Sequence, residues 1–179
     1  MPLVEQHSDI IRLELPSLFL EFGRSNSCAF LPTIPTMAQR SRQLLADMYS
    51  RLVTDQTALK SLISSTKPLR TFAHDLASLT SKPEAVLGED VKTTDEWLDQ
   101  VERMNGSLET LDKKLEPITF LSGNAPTAAD YSLFASLYDI VSTLPPAAQH
   151  ANPSLVRYFE HMKLLSAGSL SKTQQTLAP

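Results

Sequence analysis

From residue 36 onward, apolar side chains return every three or four positions, the spacing that lines one face of a helix. Thr36 with Gln39 forms a candidate capping box for a first stripe of Leu44, Leu45, Met48 and Leu52. Thr54 or Asp55 then caps a run with Leu59, Leu62 and Ile63, closed by Lys67-Pro68. Leu69, Phe72, Ala73, Leu76 and Leu79 form the next stripe, ending before Pro83, and the acidic stretch 84–94 reads as an exposed loop. The longest predicted helix starts at Thr94 and carries Trp97, Leu98, Val101, Met104, Leu108, Leu111 and Leu115 to a stop at Pro117. Gly106 interrupts that stripe without changing its phase. Two further helices are predicted, one from Thr127 to about Thr143 and one from Pro153 to about Leu165. The predicted fold class is therefore all-α.

The ends lack this periodicity. In residues 1–35, Leu13, Leu15, Leu18, Leu20 and Phe22 fit short strands, Ile10, Ile11 and Leu15 would equally suit a helical turn, and 23–35 has loop chemistry. The predicted organisation is a poorly defined segment over 1–35, a helical domain over 36–165, and a polar tail or linker over 166–179.

Composition narrows the function. Of 179 residues, 42% are hydrophobic and 20% charged, as in a folded soluble protein. With 5 glycines against 12 prolines, phosphate-cradling glycine loops are scarce. A formal charge of −4 argues against a freestanding nucleic-acid binder. The single cysteine, Cys28, permits neither an intramolecular disulfide nor a cysteine-based zinc site, which fits a reducing compartment. The start lacks a basic region followed by an apolar core, so no secretory signal is read, and a cytoplasmic location is expected.

The most specific chemistry lies between Leu115 and Met162. Ser122-Gly123-Asn124 turns the chain into Thr127, whose partner three residues on, Asp130, makes a T-x-x-D variant of the capping box. Asn152-Pro153 repeats a start signal, with Asn152 at the cap and proline in the first turn. The sequence Phe120-Leu121-x-Gly123-Asn124-x-x-Thr127-x-Ala129-Asp130, followed by Arg157-Tyr158-Phe159-x-His161-Met162, resembles the C-terminal helical domain of glutathione S-transferases. Within that family it is most similar to the non-catalytic relatives of the aminoacyl-tRNA synthetase system. Pro126 replaces the usual apolar residue and Tyr158 the usual tryptophan.

The resemblance implies a helical bundle with a reduced or absent thioredoxin-like N-terminal part, and no catalysis. It implies docking to a glutathione S-transferase-like domain of a methionyl- or glutamyl-tRNA synthetase, with tRNA reached only indirectly, and a homodimer through the same surface as a further option. The implied partner-binding residues are Arg157, Tyr158 and His161. Arg157 is either an interface guanidinium or a solvated one, Tyr158 a rim aromatic or core, and His161 a satisfied helix histidine, a partner contact or a general base. The other readings of this resemblance are a diverged glutathione-dependent enzyme and a domain of a translation elongation factor subunit. No cofactor is expected, and the remaining histidines at 7, 74 and 150 lack metal-ligand spacing. The stripe led by Trp97 reads as core, and Lys113-Lys114 as a solvated helix face.

Overall fold

The computed structural model describes residues 37–103 and 107–177. The expectations for residues 1–35 and for the Thr36 cap lie outside these. Nine helices form among the described residues: α1 (Met37–Tyr49), α2 (Gln56–Ile63), α3 (Leu69–Leu79), α4 (Pro83–Leu87), α5 (Val91–Arg103), α6 (Leu108–Leu115), α7 (Ala128–Ser142), α8 (Pro146–Ala151) and α9 (Pro153–Leu177). The all-α class is thus observed. The one β feature among the described residues is an isolated antiparallel bridge between Val53 and Thr80. It ties the turn after α1 to the end of α3 through Thr54 N–H to the Leu79 carbonyl (3.2 Å) and Ser81 N–H to the Leu52 carbonyl (3.0 Å).

The bundle is built around α7. Its sequence, rich in alanine, serine, leucine and aromatics, buries every residue from Ala128 to Leu137. A helix apolar on nearly all sides has to lie inside a bundle, and α7 packs against α1, α4, α5 and α9. Phe134 sits with Tyr138 and Phe159 in an aromatic group with centroid separations of 5.0–5.9 Å, a spacing that favours edge and tilted ring pairs.

Four expectations change. The stretch 84–94 is not an exposed loop: α4 occupies its first part and buries Val86 and Leu87. The helix expected from Thr94 begins at Val91, where Asp90 accepts the Thr93 N–H (3.1 Å) and hydroxyl (2.6 Å). Those bonds hold the Asp90 carboxyl below its ordinary range. Thr94 is instead buried in the interior, its hydroxyl 2.6 Å from the Leu87 carbonyl and 2.7 Å from Ser122 Oγ.

The single long helix through Leu115 is two. Ser107 has extended backbone and its Oγ accepts the Thr110 N–H at 3.3 Å, so α6 starts afresh with its own cap. Finally, the last helix does not stop near Leu165 but runs to Leu177. The small polar residues of 166–177 are adequate helix formers apart from glycine, and continuing the hydrogen-bond ladder costs little once a helix is nucleated.

Candidate functional site

The start of α7 organises the region. The Thr127–Asp130 capping box forms, and the Asp130 carboxylate does more than close it. Its Oδ2 accepts the Thr127 N–H (2.9 Å) and hydroxyl (3.0 Å), while Oδ1 accepts the Leu121 N–H (2.9 Å) and the Tyr158 hydroxyl (3.0 Å). One fully buried side chain therefore fastens the loop before α7, the first turn of α7, and α9. Burial pushes the Asp130 carboxyl above its ordinary range, and the backbone and side-chain donors pull part of the way back. Burial and the facing carboxylate drive the Tyr158 phenol well up, so its proton stays in place to donate.

Glycine is required twice here. Gly88, at φ +73°, brings the end of α4 against this corner; a Cβ there would lie 2.9 Å from Thr127 Cγ2. Gly123, at φ +98°, makes the turn into α7 with no atom within 4 Å of where its Cβ would be.

Above this corner lies the exposed start of α9. Arg157 is exposed, yet its Nη2 donates to the Leu115 carbonyl at 2.7 Å and the Ile118 carbonyl at 3.2 Å. It thereby adds a charged donor to the last carbonyl of α6 and to the turn that follows, where a cation also suits the helix dipole. One turn on, the half-buried His161 ring lies against Phe120, with centroids 5.3 Å apart and planes tilted by 38°. Arg157 and His161, with Ile118 and Thr119, line a shallow cleft of about 100 Å3.

Two assignments from the sequence need correction. Tyr158 is a core residue, 2% exposed, with its hydroxyl committed to Asp130; it borders the cleft from a buried position and is not a rim aromatic. Asn152 does not cap α9 with its side chain. Its Nδ2 donates back to the Ala148 carbonyl at 2.8 Å, and the N–H of Leu155 in the first turn of α9 goes to Asp112 Oδ1 at 2.8 Å. Asp112, on α6, is the cap that local reading overlooks.

A second polar cluster also escapes sequence reasoning. Arg70 and His74 on α3 face Asp95 and Asp99 on α5: Arg70 reaches Asp95 at 3.0 Å and Asp99 at 3.5 Å, and His74 Nε2 lies 2.8 Å from Asp95 Oδ1. Each pair is spaced i, i+4, the signal that puts both members on one helix face. Among the described residues no group of three or more histidine, cysteine, aspartate or glutamate side chains is arranged to hold a metal ion. No described helix is long and apolar enough to cross a membrane.

Residues 69–163, more than half of the chain, match the family described as glutathione S-transferase, C-terminal domain. No curated protein and no solved structure matches the chain. The matched span runs from the first residue of α3 into α9 and includes the Asp130 corner, Arg157 and His161. With the buried capped helix at the centre of an all-helical bundle, this places the chain in the glutathione S-transferase C-terminal domain family.

Proposed function

We propose that this chain is a non-catalytic docking module that pairs with a glutathione S-transferase-like domain of a methionyl- or glutamyl-tRNA synthetase and supports aminoacylation as a cofactor or scaffold. The reading rests on one juxtaposition: Arg157 and His161 emerge side by side from α9 beside Thr119 and the Phe120 ring, over a corner fixed by Asp130. Arg157 uses Nη2 on carbonyls at and just beyond the end of α6, and among the described residues its Nη1 and Nε make no hydrogen bond. That half of the fork suits a carboxylate on a partner surface, with the aromatic and imidazole rings as flat contact area beside it. Docking of this kind raises the local concentration of a synthetase's tRNA or enzyme partner without chemistry of its own.

Co-purification with identification of the bound protein tests the reading. Recovery of a synthetase bearing a glutathione S-transferase-like domain is the expected result. Retention on immobilised glutathione with turnover of a chromogenic electrophile would instead favour a diverged enzyme, and recovery of an elongation factor subunit would move the docking to another complex.

A further inference from the structure

Between α5 and α6 lies a cleft of about 440 Å3, a size typical of small-ligand sites between helices. Its floor is apolar, formed by the buried Val101, Leu111 and Leu133, with the half-buried Trp97 as a wall. Lys114 crosses from α6 to α5, where its Nζ donates to Gln100 Oε1 at 3.2 Å and lies 5.8 Å from the centre of the Trp97 ring. Lys114 is exposed, as the sequence suggests, and its Nζ is also held over this cleft.

Charge at the mouth is uneven. Glu96 and Asp99 are paired with cations that do not line the cleft, Lys92 at 3.9 Å and Arg70 at 3.5 Å. Lys114 and Arg103 line it, and among the described residues neither forms an ion pair with a carboxylate. An apolar trough with a lysine held only by a neutral amide and an indole face suits a ligand that is apolar at one end and anionic at the other. The apolar part removes water from the floor, and the anion gives Lys114 a charged acceptor better than the Gln100 amide. A cationic ligand meets repulsion at the same point, and a neutral one gains the apolar term alone.

We propose that this cleft binds a small aromatic carboxylic acid, with its ring on Trp97, Val101 and Leu111 and its carboxylate on Lys114. The inference is independent of docking at Arg157 and His161, which involves other residues.

The chain has one tryptophan, so its fluorescence reports on this cleft directly. The full chain is titrated with para-tert-butylbenzoate, with the matching benzyl alcohol and with the matching benzylamine, and calorimetry checks each affinity. The expected result is a saturable change with the acid, binding of the alcohol about tenfold weaker, and no saturation with the amine. Gln100→Glu alters an exposed residue at the rim of the cleft and places a carboxylate where Lys114 already donates, so it should erase the preference for acid over alcohol. Lys114→Met should do the same. No saturation with the acid, equal affinity for acid and alcohol, or a preference that survives both substitutions would overturn the assignment.

Discussion

Two helices in this bundle start in opposite ways. The first turn of α7 is closed by Asp130, three residues beyond its own cap, whereas the first turn of α9 is closed by Asp112, 43 residues before the Leu155 amide it accepts. The α7 start is buried and joins three segments; the α9 start is partly exposed and is held from outside. The local device holds the centre of the fold, and the tertiary device orients the surface where Arg157 and His161 emerge. Substitutions at the two starts should therefore differ in size and in kind.

The largest effect is expected at Asp130. Asp130→Ala leaves the Leu121 and Thr127 N–H groups and the Tyr158 hydroxyl buried without their acceptor, and at roughly 1–3 kcal/mol each the loss should reach about 4 kcal/mol in urea denaturation. A loss no larger than that of an ordinary exposed cap would remove Asp130 from the centre of the account.

Gly88→Ala comes next, at about 2 kcal/mol, because it combines a positive φ with a 2.9 Å approach to Thr127 Cγ2. Gly123→Ala, which meets only the backbone strain, should cost about 1 kcal/mol. Equal losses in thermal unfolding would show that the contact between α4 and the α7 start adds nothing.

At α9, Asp112→Ala should destabilise by about 1 kcal/mol, the usual worth of a cap, and Asn152→Ala by less. The reverse order would restore Asn152 as the cap.

The smallest expected effect is a pH dependence. Burial raises the Asp130 carboxyl in the fold, so between the ordinary aspartate value and the raised one the folded chain binds more protons than the unfolded chain. This contribution to stability is fully present below the ordinary value and is lost as pH rises through the raised one. The wild-type stability, relative to Asp130→Asn, should fall over that window; a difference that stays flat or rises would reverse the sign.

The contrast between the starts also explains what the sequence makes legible. Thr127 and Asp130 lie within one turn, so their chemistry shows in a short window, as does the Asp55 cap of α2, which accepts the Thr57 and Ala58 N–H groups. Asp112 and Leu155 meet only after the chain has folded back, and no local pattern joins them. The break between α5 and α6 is hidden for another reason: Leu98, Val101, Leu108, Leu111 and Leu115 keep one phase across it, so periodicity alone runs through, although Ser107 with Thr110 marks the new start. The short α4 contributes just Val86 and Leu87 to the core, too few apolar positions to show a period. At the candidate site, Arg157 and His161 stand out from a motif, but that Tyr158 between them turns inward to Asp130 follows from packing alone.

The most direct test of docking is a calorimetric titration of the chain into the glutathione S-transferase-like domain of a methionyl- or glutamyl-tRNA synthetase, with Thr119→Arg as the comparison. Thr119 is exposed and lines the cleft beside Arg157 and His161, so the substitution crowds the surface and removes none of the hydrogen bonds that support it. Saturable binding by the wild type, weakened at least about tenfold (1.4 kcal/mol) in a variant with unchanged thermal stability, is the predicted result. Absence of binding to both domains, or equal affinity of variant and wild type, would contradict it.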